Sequence, residues 1–204
     1  MLPRENKKPK PTFQLKGRLI FFATGNFNKF NEGRKTLAEY GITTAMLKAK
    51  NLEIQSDSLR EIAEASAIDA YNACHLPIVV EDAGLFVETL KGFPGPYAAY
   101  VYKTISNPGI LKLMEEKKNR KATFRSSLAY YDGQSTPSSF EGEAQGAIVF
   151  NERWGTGKIG FGFDPIFSPE GSQKTFAEMS TEEKNGFSHR AAAFRKFAQW
   201  YKKL

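Results

Sequence analysis

Hydrophobic positions in the first 80 residues favour short buried strands that alternate with amphipathic helices. The apolar run at residues 19–23 ends in a Thr-Gly-Asn turn, which is typical of a buried strand entering a turn. A capping-box pattern at residues 58–61 marks the start of a helix. The pattern predicts strands at residues 19–23, 42–47 and 77–80, and helices at residues 28–40 and 58–75.

The pattern changes in the second half of the chain. Residues 122–150 alternate apolar and polar side chains around turn signals, which predicts long antiparallel strands. A further strand is predicted at residues 161–167, where Phe161 and Phe163 would share one face. The predicted helices of this half cover residues 107–118 and 188–204. Helices that alternate with strands near both ends, with hairpins between them, predict an α/β fold with a mixed β-sheet.

Composition is that of an ordinary globular protein. Apolar residues make up 41% of the chain and charged residues 25%, and no apolar run approaches the roughly 20 residues that a membrane helix needs. The single cysteine, Cys74, cannot form an intrachain disulfide, which favours a reducing compartment. We therefore expect a cytoplasmic protein without a membrane segment.

The positive charge is concentrated at the start of the chain. Residues 1–18 hold six basic side chains against one acidic side chain, which leaves about +2 of the net charge of +7 for the rest. This proline-rich leader is predicted to be disordered, and residues 19–204 are predicted to form a single domain. The leader could contact nucleic acid nonspecifically, but no nucleic-acid function is predicted for the domain.

The Thr-Gly-Asn turn is a candidate phosphate site. It opens a predicted helix, and a helix N-terminus presents free N–H groups and the positive end of the helix dipole. Lys29, one turn into the helix, can add a point charge to a phosphate oxygen. The alternative is an ordinary Asn-capped turn with a solvated lysine.

Acidic residues form a second candidate site. Glu81 and Asp82 directly follow the predicted strand at residues 77–80, and ligands of α/β sheets bind at the carboxyl ends of strands. Glu53 lies in a loop before the capping box. Two carboxylates suffice for Mg²⁺, which takes its other ligands from phosphates and water, and a carboxylate there can also orient or deprotonate an attacking water. The alternative is that these acids are solvated surface charges.

The third candidate site lies in residues 160–167 and 183–190. Phe161 and Phe163 could stack on a nucleobase, and Asp164 could accept hydrogen bonds from ring N–H groups. The donors for a base carbonyl or phosphate are Lys184, His189 and Arg190. The alternative is that the phenylalanines belong to the core, that Ser188 caps a helix and that Arg190 is an exposed charge.

Together the three segments resemble the inosine triphosphate pyrophosphatase family, whose members hydrolyse ITP, dITP and XTP. The matching motifs are T-G-N-x-x-K at 24–29, E-D-x-G-L at 81–85, G-F-P-G-P-Y at 92–97, G-F-G-F-D-P-I-F at 160–167, T-x-A-E at 175–178, E-K-N at 183–185 and S-H-R at 188–190. The resemblance covers about residues 19–203. It implies an elongated mixed sheet with flanking helices, two lobes around a central nucleotide cleft, a homodimer and a requirement for Mg²⁺.

The resemblance also implies roles for individual residues. Thr24, Gly25, Asn26, Phe27, Asn28 and Lys29 would bind the triphosphate. Glu53 and Asp82 would coordinate Mg²⁺, and Asp82 would also activate water, with Glu81 in support. Ala83, Phe161, Gly162, Phe163, Asp164, Lys184, His189 and Arg190 would surround the base and sugar. Ala83 stands where the family commonly has serine, but no charged catalytic group is missing, so we expect activity to be kept.

The implied reaction converts a deaminated purine nucleoside triphosphate and water into the monophosphate and pyrophosphate, by attack at the α-phosphorus, and so cleanses the nucleotide pool. Donors placed for a 6-oxo group would select against 6-amino purines. Two alternatives stay open. One is a pyrophosphatase of related fold that acts on other modified nucleotides, and the other is a non-catalytic nucleotide- or RNA-binding protein.

Overall fold

The computed structural model describes residues 18–48, 54–157 and 160–204. The strands are β1 (Arg18–Ala23), β2 (Ile42–Leu47), β3 (Ile78–Val87), β4 (Pro94–Gly95), β5 (Lys121–Tyr131), β6 (Ser138–Ile148) and β7 (Phe167–Pro169). The α-helices are α1 (Phe27–Ala38), α2 (Leu59–Cys74), α3 (Ala98–Thr104), α4 (Ser106–Leu113), α5 (Thr181–Phe187) and α6 (His189–Tyr201). Within the described part of the chain, no helix has the length and apolar character needed to cross a membrane.

The strands form one seven-stranded mixed sheet in the order β2-β1-β3-β5-β6-β7, with β4 paired to β3. β1 lies parallel to β2 and β3, and the remaining pairs are antiparallel. Parallel neighbours need crossover connections, which α1 and α2 supply. The predicted α/β class with a mixed sheet and flanking helices is confirmed.

The first lobe has a core on each face of the sheet. On one face, Phe22 and Val79 pack with Phe194 of α6. On the other face, Ala23 packs with Ala67 of α2. Successive strand residues point to opposite faces, so one apolar run supplies both cores, and the alanines allow α2 to lie close to the sheet.

A second lobe forms around the far halves of the long strands. Leu85, Phe124 and Ile148, from β3, β5 and β6, share a core with Ile110 of α4 and with Phe163. The three long strands run through both lobes. The middle of β3 therefore lies between two hydrophobic cores, where polar side chains can face a cleft.

The prediction that a strand ends at Glu81-Asp82 is wrong, because β3 continues to Val87. Its parallel pairing with β1 stops at Val79, whereas its antiparallel pairing with β5 extends to Val87. Glu81 and Asp82 thus lie just beyond the carboxyl end of β1. The sequence pattern indicated where the parallel pairing of β3 with β1 ends, but it did not indicate that β3 continues in antiparallel pairing with β5.

The predicted strand at residues 161–167 is also wrong. Residues 160 and 161 have no regular structure, Gly162 and Phe163 form a turn, Asp164–Ile166 is a 3₁₀ helix, and only Phe167–Pro169 pairs as β7. Gly160 and Gly162 have φ of 129° and 59°, which is incompatible with an extended strand. Phe163 is consequently buried in the second lobe, while Phe161 lies apart from it at the cleft.

Other boundaries differ less. The predicted helix at residues 107–118 is shorter, Ser106–Leu113, and α3 before it was not predicted. Arg18, the last residue of the predicted leader, is the first residue of β1. The rest of the leader and Glu53 lie outside the described residues, so their predicted roles stay predictions.

Candidate active site

A cleft with a volume of about 1130 Å³ lies between the two lobes. It brings together the three candidate segments of the sequence. The predicted site residues that line it are Thr24, Gly25, Asn26, Lys29, Glu81, Asp82, Ala83, Phe161, Gly162, Phe163, Asp164, His189 and Arg190. Phe27, Asn28 and Lys184 are described but are not part of its lining.

The turn after β1 is held by its own side chains. The Thr24 Oγ1 atom accepts a hydrogen bond from the N–H of Asn26 at 3.1 Å. Asn26 caps α1, and its Oδ1 atom accepts from the N–H groups of Asn28 and Lys29 at 2.9 and 3.2 Å. The Asn-capped turn therefore exists, and it fixes the start of α1 at the cleft. Because capping already satisfies these N–H groups, Lys29 is the stronger candidate for a phosphate contact.

Strand alternation sends Glu81 and Asp82 to opposite faces of the sheet. Asp82 shares the face of Ile78 and Val80, against which α2 packs, and it is half-buried in the cleft wall. Glu81 points to the side of α6 and is buried. The two neighbouring carboxylates thus have different surroundings.

Glu81 is held by cations. It lies 3.1 Å from both Lys29 Nζ and Arg190 Nε, and its Oε1 atom accepts a hydrogen bond from Ser126 at 2.6 Å. Burial by itself would raise the pKa of the Glu81 carboxyl, but Arg190 and Lys29 outweigh that effect and hold the pKa far below its usual range. Glu81 is therefore ionised at neutral pH and orients Lys29 and Arg190.

Glu32, on α1, is a buried charged residue that the sequence did not single out. Its carboxylate accepts hydrogen bonds from Lys184 Nζ at 2.7 Å and from Arg190 Nη1 at 2.6 Å. Burial would raise the pKa of Glu32, but these two cations hold it below its ordinary value. Glu32 lies three residues after Lys29, on a helix whose buried face also contains Gly33 and Leu37, and that spacing was the available signal.

Lys184 connects Glu32 to the loop after β6. Its Nζ atom also donates to Asp164 at 2.7 Å, and Asp164 Oδ2 accepts from the N–H of Phe161 at 3.0 Å. Burial opposes the charge on Lys184, but Asp164 and Glu32 raise its pKa above the usual value. Lys184 is therefore a buried, charged residue behind the cleft. Its predicted contact with the base stays untested.

Phe161 covers the buried cations. Its ring centroid lies 4.8 Å from Lys184 Nζ and 5.5 Å from Arg190 Cζ, within the range of cation–π attraction. The ring is half-buried and lines the cleft. The loop and the ion pairs thus present an aromatic surface to a ligand.

His189 is a buried polar side chain of the cleft whose two ring nitrogens have unused hydrogen-bonding capacity. It is 2% exposed and stacks on Phe124, with ring centroids 4.7 Å apart and planes 7° apart. Neither ring nitrogen has a hydrogen-bond partner among the described residues. Burial first, and then the charge of Arg190, hold the pKa of His189 well below its usual value. At neutral pH the ring is uncharged and offers one donor and one acceptor.

The position of His189 depends on a glycine across the sheet. A Cβ atom at Gly142 of β6 would lie 2.1 Å from the carbonyl oxygen of His189 and 2.6 Å from the N of Ala193. Only glycine permits this close approach. The first turn of α6 is therefore seated directly on the strand.

Two polar residues of α2, Ser66 and Asp69, line the cleft but were not singled out from the sequence. With Ile62 they follow helical spacing, which places them on one face and was the signal that could have revealed them.

Among the described residues, no group of three or more His, Cys, Asp or Glu side chains is placed to hold a metal ion. Mg²⁺ needs only one or two protein carboxylates, because phosphates and water complete its shell. Asp82 and Asp69, in one cleft wall, fit that requirement.

Residues 20–200 match the family model described as the Ham1 family. The chain is a member of the Ham1 family. The matched region contains both lobes and every described residue that lines the cleft. The family resemblance seen in the motifs is therefore confirmed.

Curated relatives of this Ham1-family chain are called dITP/XTP pyrophosphatases. The protein of Thermococcus kodakarensis is 51% identical over 183 residues, which are 90% of this chain and 97% of the relative. The protein of Methanopyrus kandleri is 49% identical over 183 residues, which are 90% and 96% of the two chains. The Ham1 protein of Coxiella burnetii has a solved structure that is 25% identical with a TM-score of 0.79 and covers 92% of this chain and 100% of its own. The Staphylococcus aureus Ham1 structure, 23% identical with a TM-score of 0.76, covers 91% and 99% and shares the fold.

Proposed function

We propose that this protein hydrolyses deaminated purine nucleoside triphosphates, namely dITP, ITP and XTP, to the monophosphate and pyrophosphate. The names of relatives that are 42–51% identical over about nine tenths of this chain support the reaction. The structural observation that carries the proposal is one cleft that holds Asp82, Lys29 and a buried His189 with unsatisfied nitrogens. A nucleotide has complementary parts for all three.

The phosphate end of the substrate would lie at Asp82 and Lys29. Asp82 would orient and deprotonate the water that attacks the α-phosphorus, as a carboxylate at the reacting centre can. Glu81, held between two cations, keeps Lys29 in place for a phosphate oxygen. Bound Mg²⁺ would neutralise phosphate charge. Asp82 would hold the ion, with Asp69 as the second described carboxylate, and Glu53 is proposed from sequence alone.

The base end would lie at His189 and Phe161. The neutral His189 ring can donate to the 6-oxo group of hypoxanthine or xanthine, and Phe161 offers a face for stacking. Arg190 and Lys184, whose cationic groups lie 5.5 and 4.8 Å from the centre of the Phe161 ring, would favour a carbonyl oxygen over an amino group at the 6-position. A site built for hydrogen bonds to one group rejects an analogue that lacks it by roughly 10⁴-fold.

The remaining parts of the proposal concern assembly and compartment. We propose a homodimer, as the family resemblance implies, and a cytoplasmic enzyme. Size-exclusion chromatography with light scattering of the purified chain tests the first point. A molar mass of one chain, 22.9 kDa, at micromolar concentration would contradict it.

A substrate panel tests the proposed reaction. Purified protein with Mg²⁺ is assayed on XTP, dITP, ITP, GTP, ATP and dUTP, and pyrophosphate and orthophosphate are measured separately. We expect pyrophosphate from the first three and little product from the others. Asp82→Asn should abolish turnover with an unchanged circular dichroism spectrum. Glu115→Gln, which loses only an exposed pair with Lys112, should retain full activity. Preferential hydrolysis of dUTP would favour the related pyrophosphatase, and binding without turnover would favour a non-catalytic protein.

A further inference from the structure

The charged residues of the cleft do not by themselves favour a polyanion. The described cations in its lining are Lys29, Lys103 and Arg190. The described carboxylates in its lining are Asp69, Glu81, Asp82 and Asp164. Carboxylates thus outnumber cations, whereas a nucleoside triphosphate carries several negative charges. A cation that no protein carboxylate already neutralises would therefore strengthen the binding of the phosphate chain.

Two of the three cations are already paired. Lys29 Nζ lies 3.1 Å from Glu81. Arg190 lies 3.1 Å from Glu81 and 2.6 Å from Glu32. Carboxylates of the protein therefore neutralise much of the charge of Lys29 and Arg190, and the ion pairs hold both side chains in position. They can orient a ligand, but they add little net positive potential.

Lys103 differs from both of these cations. Its side chain has no hydrogen bond or ion pair with any residue that the structure describes, and it is exposed at the cleft. Lysine is a compact, strongly hydrated charge on a flexible stem, which suits a mobile contact with phosphate oxygens.

The helix that carries Lys103 is fixed against the cleft. Ala98, Ala99 and Tyr102 of α3 line the cleft together with Lys103, so one helix face is turned towards it. The Tyr102 ring meets the Phe163 ring edge-on, with centroids 5.6 Å apart, and Val101 is buried in the core of the second lobe. The base of the Lys103 side chain is therefore held in place although its end is free.

We propose that Lys103 binds the phosphate chain of the nucleoside triphosphate and supplies positive charge that no described carboxylate neutralises. This inference rests on the proposed function, since it names a contact to the same substrate. Lys103 lies in the last turn of α3, where a cation also interacts favourably with the helix dipole. If Lys103 had only a structural role, it would act only through its interaction with the dipole of α3.

Lys112 provides a matched control. It lies in the last turn of α4, is exposed and pairs with Glu115 at 2.8 Å, but it does not line the cleft. Lys103→Gln and Lys112→Gln therefore remove the same charge from the same helical position. Lys103→Arg keeps the charge and tests rescue.

The first measurement is steady-state kinetics with XTP and Mg²⁺. Loss of one charge-assisted phosphate contact should raise the KM of Lys103→Gln on the order of tenfold, with kcat changed less than about threefold. Lys103→Arg should recover most of the affinity, and Lys112→Gln should match the wild type. Equal KM values for Lys103→Gln and Lys112→Gln would overturn the proposal.

The second measurement does not require turnover. Binding of inorganic pyrophosphate and of inosine is measured by calorimetry for the wild type and each variant. Lys103→Gln should weaken pyrophosphate binding on the order of tenfold and leave inosine binding unchanged. Unchanged pyrophosphate affinity, or an equal loss for inosine, would contradict a phosphate contact. If the wild type binds pyrophosphate but fails to hydrolyse XTP, the proposed function fails while the Lys103 contact is still decided.

Discussion

Removal of Glu32 should destabilise the fold strongly, because two buried cations pair with its carboxylate. Glu32 is 6% exposed, and its carboxylate accepts hydrogen bonds from Lys184 and Arg190 at 2.7 and 2.6 Å. In Glu32→Ala, both cations stay buried without this partner. Removal of one member of a buried ion pair costs about 3–5 kcal/mol of unfolding free energy. For a chain of this size, that corresponds to a fall in Tm of about 6–20 °C.

The assay is urea unfolding followed by circular dichroism, with Glu32→Gln as an isosteric variant. The glutamine amide keeps an acceptor oxygen for one cation, so its loss should lie at the lower end of the range. The control is Glu182→Gln, which breaks an ion pair with Lys35 whose side chains are 70% and 32% exposed. Exposed pairs contribute about 0–1 kcal/mol. If Glu32→Ala and Glu182→Gln lose the same stability, the buried pairs do not act as described.

The stability difference between the wild type and Glu32→Gln should depend on pH. The pKa of Glu32 is lower in the folded state than its ordinary value, because Lys184 and Arg190 outweigh the effect of burial. A lowered pKa contributes stability that is present above the unfolded value, near 4.5, and is lost as pH falls below it. The stability gap between the wild type and Glu32→Gln should therefore narrow below about pH 4.5. A gap that widens in acid would contradict the charge assignment.

Three further predictions concern the cleft. Because burial, and then the charge of Arg190, hold its pKa well below the usual value, His189 should show no titration near pH 6.5 in NMR spectra, with its signals assigned by their loss in His189→Gln. A titration near pH 6.5 would contradict this. Gly142→Ala would place a Cβ atom 2.1 Å from the His189 carbonyl, so activity should fall more than tenfold in kcat/KM, whereas the exposed Gly186→Ala should have little effect on activity. Asp69→Asn should raise the Mg²⁺ concentration required for half-maximal activity several-fold; an unchanged requirement would remove Asp69 from the metal site.

The sequence predicts much of the fold because local patterns decide most of it. The apolar run before Thr24 and the alternation after Ala122 specify strands with little help from distant residues. The long extent of β3 could not be predicted in this way, because pairing with β5 continues through Glu81 and Asp82, which are polar. Partner strands, rather than local hydrophobicity, set its end.

The sequence predicts which residues lie at the candidate site, but it does not predict which of them form ion pairs. Asp82, Lys29 and His189 were all placed at the cleft as expected. That Lys184 and Arg190 are bound to Glu32 could not be read from spacing, since the partners are more than 150 residues apart. The alternation of Phe161 and Phe163 predicts a strand, but Gly160 and Gly162 have positive φ, and the chain turns at Gly162 and Phe163 instead.

Hydrolysis of XTP in H₂¹⁸O, with both products analysed by mass spectrometry, tests the central claim most directly. Attack of an Asp82-activated water at the α-phosphorus predicts XMP that carries one ¹⁸O atom and pyrophosphate that carries none. Labelled pyrophosphate, or release of orthophosphate with XDP, would contradict the proposed reaction.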